Sequence, residues 1–303
     1  MIEGILIEGL IYGIMVLAVF ITFRILNFAD MTVDGSFPLG AAVLAAAVLK
    51  GVPSPLALLL AFGAGALAGL VTALIHTKLK IPDLLSGILT MTMLFSINLR
   101  VMSNKANLSL LKTRTLFTSI TDLIAGMPPQ HTVWALVIFC LVSVLFIKCI
   151  LDVFFHTDFG ISMYALGVNP QLIISQGMNP DVIKTAGICL ANGLVGIAGA
   201  YAAMYQGFAD VNFGTGTIVA GLASLMIGEF LIRSNHIGLL TLRALLGSIL
   251  YRALMYLARN YGYYIHMTAN DLKLITGILI IICVVASKTG LFNKSRTAEK
   301  RKL

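Results

Sequence analysis

The sequence predicts an all-α polytopic membrane protein, a bundle of about nine transmembrane helices within a range of eight to ten. Apolar residues make up 58% of the 303 residues and charged residues only 11%. A water-soluble domain is normally about one quarter charged. Several apolar runs also approach the roughly 20 residues that a helix needs to cross a bilayer.

Nine apolar spans follow one another along the chain. They are Ile5–Phe23, Phe37–Leu49, Pro55–Ile75, Pro82–Arg100, Val133–Leu151, Ile183–Tyr205, Thr217–Ile232, Ile237–Tyr256 and Leu272–Ala286. The second and seventh are short, which is typical of the interrupted helices of transporters. Small residues recur four apart, as at Gly65 and Gly69, and this spacing predicts close helix packing.

Two regions are expected, a transmembrane domain over residues 1–287 and a basic tail over residues 288–303. A basic tail is expected in the cytoplasm against anionic headgroups, and nucleic-acid binding is the less favoured alternative. Nine spans then place the N-terminus outside, in agreement with its acidic start. Three basic residues in the loop over 101–132 argue against this orientation, namely Lys105, Lys112 and Arg114.

The loop after the fifth span carries two Asn-Pro pairs, Asn169-Pro170 and Asn179-Pro180. Asn-Pro favours turn initiation, and proline suits the first turn of a helix. We therefore predict a short surface helix within residues 160–181, on the cytoplasmic side. Such a helix would provide a contact surface for a soluble partner protein.

A short internal echo joins two parts of the chain. Phe28-Ala29-Asp30 follows the first span and Phe208-Ala209-Asp210 follows the sixth, and both precede a short span. Five spans separate the two copies, so their orientations in the membrane would be opposite. An inverted repeat and a chance match both remain open.

Polar residues interrupt the apolar pattern at Asn27, Asp30 and Asp34. A carboxylate at the bilayer centre costs about 2.5–3.5 kcal/mol on insertion scales, so each aspartate needs water, a partner or a loop. The segment is either a turn that caps the next helix or a part of the translocation path or of a dimer interface. Arg24 is the expected electrostatic partner of either aspartate.

Two further sets of polar residues lie in later spans. Asn192 is expected to form a hydrogen bond between helices or to touch substrate. Glu229 and Arg233 are four residues apart, a spacing that predicts a structural ion pair on one helix face, with a gate as the alternative.

The sequence predicts no catalytic residues, no metal site and no cofactor in this chain. The five histidines are scattered, and Gly-Lys-Ser/Thr of a phosphate-binding loop, a nucleophile elbow and a dinucleotide fingerprint are all missing. The four cysteines lack disulfide or zinc spacing and are expected to pack in or near the spans.

Two segments carry a family resemblance. NFADMTVDGSFPLGAAV and ALGVNPQLIISQGMNPDVIKTAG resemble the corresponding motifs of the branched-chain amino acid permeases of bacterial ABC importers. The family's usual His-Gly after Asn-Phe-Ala is Asp30-Met31 here. This variant resembles a subgroup that is uncharacterised or imports tryptophan or tyrosine, so an aromatic amino acid is the expected substrate.

The resemblance implies a set of partners. ATP and Mg would sit on separate cytoplasmic ATPase subunits, an extracytoplasmic binding protein would deliver the solute, and a second permease copy would complete the path in the bacterial inner membrane. The motif residues expected to form the ATPase-coupling element are Gly167, Asn169, Pro170, Gln171 and Gly177. An ion-coupled secondary transporter is the alternative function, and a membrane enzyme is argued against by the lack of catalytic residues.

Overall fold

The computed structural model of the chain describes residues 2–111, 113–124, 129–231 and 236–262, with positions 274, 277, 278 and 281. The helices in this part are α1 (Ile2–Val19), α2 (Val33–Leu49), α3 (Ser54–Leu79), α4 (Asp83–Val101), α5 (Leu116–Leu123), α6 (Pro129–Phe155), α7 (Asp158–Val168), α8 (Pro170–Ser175), α9 (Pro180–Gln206), α10 (Thr217–Leu231) and α11 (Ile237–Gly262). A π-helix (Phe20–Ile25) extends α1, and a 3₁₀ turn (Val211–Gly214) precedes α10. Two short strands, β1 (Asn107–Ser109) and β2 (Phe208–Asp210), pair antiparallel.

The prediction of an all-α polytopic membrane protein is confirmed. Seven helical segments of the described part are long and apolar enough to cross a membrane, with α10 counted together with the 3₁₀ turn before it, and α2 is a shorter apolar helix. These eight match the first eight predicted spans. The ninth span and the basic tail fall almost wholly outside the described residues.

Proline and residues with left-handed backbone set several helix ends. Pro170 and Pro180 occupy the first turns of α8 and α9, where a missing N–H costs nothing. Gly207 ends α9 with φ of 76°, a conformation that glycine adopts without strain.

The centre of the bundle is α9. In its most apolar stretch 83% of the residues are buried, whereas the figure for α6 is 17%, so α6 lies at the periphery. Helix α9 packs closely against α3 because α3 carries the small residues Gly65 and Gly69, as their spacing predicted. A Cβ added at Gly69 would lie 2.6 Å from the carbonyl oxygen of Ile188, so only glycine allows this approach.

The bundle has two ends, which we call the α8 end and the β end. At the α8 end, the last turn of α3 meets the start of α9 through an ion pair between Lys80 and Asp181 (3.9 Å). At the β end, the backbone N–H of Leu110 donates to the carbonyl of Gly207 (2.7 Å), next to the β1–β2 pair. Helices α1, α3 and α10 run towards the α8 end, and α4, α9 and α11 run away from it.

Candidate functional site

A buried polar network lies near the middle of α9. The side-chain amide of Asn192 donates to the Asp30 carboxylate (2.7 Å) and accepts from the hydroxyl of Ser36 (2.7 Å). The backbone N–H of Thr32 donates to the other Asp30 oxygen (2.9 Å). Asp30 is 2% exposed and Asn192 is fully buried. Because each of these groups has partners, the network tolerates its depth in an apolar bundle.

Asp34 connects α2 and α10, the helices that correspond to the two short predicted spans. Its carboxylate accepts from the backbone N–H groups of Gly216 (3.0 Å) and Ile218 (2.8 Å) and from the hydroxyl of Thr217 (2.9 Å). Those groups form the start of α10. The first N–H groups of a helix lack partners within it, and a carboxylate there also meets the positive end of the helix dipole. Asp34 of α2 therefore caps α10 from another part of the chain.

The start of α10 lies within the depth of the bundle. The helix has 15 residues, which corresponds to about 22 Å and falls short of the roughly 30 Å hydrocarbon thickness. Its far end reaches the α8 end, where Glu229 meets Arg24. Residues 211–216 thus enter the bundle before α10 begins, as expected for an interrupted helix.

A cavity of about 330 Å³ opens beside Asp34. Three segments surround it: the first turns of α2, the middle of α4, and the segment before α10. Its lining residues are Asp34, Gly35, Pro38, Met91, Thr92, Phe95, Asn98, Val211, Asn212 and Thr215. A few polar side chains among apolar ones are typical of a small-molecule binding site.

Asn27 lies apart from the other residues that were predicted to line the translocation path. Its side chain is exposed at the α8 end, and its φ of 50° is a left-handed conformation that asparagine tolerates better than most residues. Asp30, Asp34 and Asn192 lie together inside the bundle. A role for Asn27 in a dimer interface stays a prediction.

An ion-pair cluster joins α1, α10 and α11 at the α8 end. Glu229 lies 3.1 Å from Arg24 and 2.9 Å from Arg243. The sequence expectation that Arg24 pairs with Asp30 or Asp34 is therefore wrong: Arg24 faces Glu229, and both aspartates turn inward. Arg233, the expected partner of Glu229, lies outside the described residues.

The predicted surface helix is α8. The Asn169 side chain accepts from the backbone N–H of Gln171 (3.0 Å), and the Asn179 side chain accepts from that of Asp181 (2.9 Å). Each Asn-Pro pair therefore starts a helix, since asparagine is among the best N-cap residues. Gly177 follows α8 with φ of 75°.

Gly167 of α7 lies against the end of α1. A side chain there would collide with the carbonyl oxygen of Ile25, so the two backbones are in direct contact. Within the expected coupling set, Gly167 is thus a packing residue, whereas Asn169, Pro170, Gln171 and Gly177 are exposed.

Comparison with known proteins identifies the family. The profile of the family described as "Branched-chain amino acid transport system / permease component" matches residues 1–285. The chain is a member of this permease family. Like its relatives, it is a transport component and not an enzyme.

Two relatives of this permease match over nearly the whole chain. A tyrosine transport system permease protein of Clostridioides difficile (strain R20291) is 38% identical over 96% of this chain and 93% of its own. The uncharacterized protein RP368 of Rickettsia prowazekii (strain Madrid E) is 30% identical over 93% and 95% respectively.

A solved structure resembles the permease in fold. PsaBC from Streptococcus pneumoniae, solved in complex with Fab, gives a TM-score of 0.50 with 14% identity, over 93% of this chain and 90% of that chain. At this identity the likeness concerns the fold alone.

The internal echo has a structural counterpart in the permease. The Asp210 side chain accepts from the backbone N–H of Asn212 (2.7 Å), two residues on, as Asp30 does with Thr32. Each aspartate precedes a short helix, and α2 and α10 run in opposite directions. The geometry agrees with an inverted repeat.

Two buried polar residues of the permease, Asn98 and Arg243, are not among the residues predicted from the sequence. Asn98 is a single asparagine inside an apolar span, the same signal that pointed to Asn192. Arg243 is 5% exposed inside α11, and a charge within an apolar span marks a paired or functional residue.

Proposed function

We propose that this permease is the membrane-spanning subunit of an ATP-binding cassette importer for an aromatic amino acid, with tyrosine as the first candidate. The 38% identity with a tyrosine transport system permease protein, over 96% of the chain, supports the substrate. The permease performs no bond chemistry. It converts movement of a docked partner into a change of access.

The observation that carries the proposal is the exposed apolar surface of α8. Leu172 and Ile174 are 48% and 52% exposed, while Ile173 between them is fully buried and anchors the helix. Because α8 lies outside the long spans, between two asparagine-capped turns, these exposed apolar side chains suit a protein partner. That partner would be the ATPase subunit, which carries ATP and Mg.

A continuous chain of contacts leads from α8 to the interior. Helix α8 follows α7 directly, and Gly167 of α7 lies against Ile25 at the end of α1. The next residues along the chain lead to Asp30 and Asp34, which bond to Asn192 and to the start of α10. A push on α8 therefore reaches both short helices through backbone contacts and buried hydrogen bonds.

The remaining assembly follows from this assignment. The α8 end and the basic tail face the cytoplasm, and the β end faces a solute-binding protein outside. A second copy of the permease completes the path in the cytoplasmic membrane of a bacterium.

Copurification with the ATPase subunits tests the docking role. The double substitution Leu172→Asp and Ile174→Asp places charge on the docking surface and leaves the buried Ile173 in place. We expect loss of ATPase copurification with a normal yield of folded permease. The matched control is Leu123→Asp, which changes a residue that is 87% exposed in α5, near the β end. Equal copurification of both variants contradicts the assignment.

An ion-coupled secondary transporter is the second candidate. The buried carboxylate of Asp30 favours it, because intramembrane carboxylates often serve as ion or proton sites. Uptake of tyrosine by the permease alone, driven by a sodium or proton gradient, would support this alternative.

A further inference from the structure

Asn98 lines the cavity beside Asp34 and carries a buried polar atom that lacks a hydrogen-bond partner. Asn98 is 1% exposed, and its side-chain N–H donates to the carbonyl of Gly35 (3.3 Å). Its Oδ1 atom has no hydrogen-bond partner among the described residues. A buried acceptor left unsatisfied costs about 1–3 kcal/mol, so its retention calls for an explanation.

Asn98 and Asp34 give this wall of the cavity an acceptor character. The Asp34 carboxylate is negatively charged, and Asn98 Oδ1 is a neutral acceptor with both lone pairs free. Hydrogen-bond acceptors require a ligand that brings donors, and a primary ammonium group brings three together with a positive charge.

The remaining walls fit the other parts of an amino acid. Met91 and Phe95 offer apolar and aromatic surface, and Phe95 is 49% exposed in this chain. Asn212 and Thr215 bring an amide and a hydroxyl that can donate to a carboxylate, whereas the hydroxyl of Thr92 already donates to the carbonyl of Leu89 (2.8 Å). A volume of about 330 Å³ is at the lower end of the range for small-molecule sites, roughly 300–1,000 Å³.

We propose that this cavity is an intramembrane binding site for the transported aromatic amino acid. The ammonium group lies between the Asp34 carboxylate and Asn98 Oδ1, the aromatic ring lies against Met91 and Phe95, and the carboxylate faces Asn212 and Thr215. The assignment rests on the proposed import of an amino acid and adds the site at which the permease itself holds it.

Binding at this site has a mechanical consequence. The ammonium group competes with the N–H groups of Gly216 and Ile218 for the Asp34 carboxylate, so occupancy weakens the cap of α10. Asn98 Oδ1 is closed to water in this conformation. A small rotation of Asn98 or a shift of α4 must therefore accompany binding. The solute thereby acts on α2 and α10, the two helices that Asp34 joins.

Protection of an engineered cysteine tests the site in the assembled transporter. The native Cys140, Cys149, Cys189 and Cys283 are first changed to serine. Thr92→Cys then reports on the cavity, and Ser96→Cys, one turn further along the exposed face of α4, is the matched control outside it. The complex is treated in nanodiscs with a small methanethiosulfonate, with and without L-tyrosine.

We expect L-tyrosine to slow the labelling of Thr92→Cys at least fivefold and to leave Ser96→Cys unchanged. Tyramine, which keeps the ammonium group, should also protect, and 4-hydroxyphenylpropionate, which lacks it, should not. An unprotected or unreactive Thr92→Cys overturns the proposal, since an unreactive thiol means that a second permease copy or lipid fills the cavity. Protection by the acid and not by the amine also overturns it.

Transport by Asn98→Leu is the second measurement. We expect the KM for tyrosine uptake to rise at least tenfold, while copurification with the ATPase subunits stays normal. If the wild-type complex does not import tyrosine, the proposed function fails. If it does, and either Asn98→Leu or Thr92→Cys fails to respond as stated, only the intramembrane site fails.

Discussion

The carboxylate of Asp34 accepts a hydrogen bond from the backbone N–H of Ile218 at 2.8 Å, although 184 residues separate them. This contact joins the starts of two short helices that run in opposite directions within the bundle. Gly216, which precedes α10, has no side chain with which to cap it, and Asp34 supplies the missing acceptor from α2. The two interrupted helices therefore depend on each other for their local stability.

Removal of this cap should destabilise the permease. Asp34→Ala leaves the N–H groups of Gly216 and Ile218 unpaired, and loss of a capping side chain costs about 1 kcal/mol, up to about 2 in folded proteins. We expect a lower melting temperature in detergent, with a smaller decrease for Asp34→Asn, which keeps one acceptor. The control is Asp210→Ala, which removes a bond only to the adjacent turn. An Asp34→Ala variant as stable as the control would contradict the capping role.

Substitution of Asn192 should have a larger effect. Asn192→Leu removes the amide that bonds both Asp30 and Ser36, so a buried carboxylate loses a partner. Leaving a buried polar group without its hydrogen-bond partner costs about 1–3 kcal/mol, and more when that group is charged. Ser36→Ala removes only one neutral bond and should cost about 1–3 kcal/mol. Size-exclusion profiles of fluorescent fusions should show little folded Asn192→Leu and abundant folded Ser36→Ala; the reverse order would argue against the network.

The glycine contact between α2 and α9 can be tested in the same assay. A side chain at Gly40 would collide with the backbone of Gly196. Gly40→Ala should therefore separate the two helices and reduce the folded yield several-fold. Gly63 of α3 faces open space, so Gly63→Ala should be neutral or slightly stabilising through helix propensity. Equal yields of the two variants would mean that this packing is looser than the structure indicates.

Glu229 should matter more for stability than Arg24, the more exposed of the two arginines that it binds. Glu229→Ala leaves Arg24 and Arg243 facing each other without a counter-charge, and Arg243 is only 5% exposed. Loss of hydrogen bonds to charged groups costs about 1.5–3 kcal/mol. Arg24→Ala should cost much less because the Arg24 side chain is 57% exposed. Thermal melting of the two variants checks the order, and an Arg24→Ala variant as unstable as Glu229→Ala would refute it.

The local features of the fold were the ones that the sequence predicted well. Asn169-Pro170 and Asn179-Pro180 act through the next few residues, so they locate the starts of α8 and α9 directly. Eight apolar spans likewise follow from the run of side chains alone. The partners of Asp30, Asp34 and Glu229 could not be predicted, because they come from distant helices. The four-residue spacing of Glu229 and Arg233 predicts a pair within one helix, whereas Arg24 and Arg243 reach Glu229 through tertiary packing.

The β1–β2 pair is too short for a periodic signal, and its position depends on where α4 and α9 end. The cavity at Asn98 depends on the relative positions of α2, α4 and the segment before α10. The sequence alone shows only that Asn98 is an isolated polar residue within an apolar span.

Uptake of radiolabelled L-tyrosine into proteoliposomes tests the central claim most directly. The vesicles contain the permease, its ATPase subunits and the binding protein, and a parallel set contains the permease alone. We predict uptake that requires ATP on the side of the α8 end and that falls to background with Leu172→Asp and Ile174→Asp. Tyrosine accumulation by the permease alone on an ion gradient, unaffected by ATP, would contradict the account.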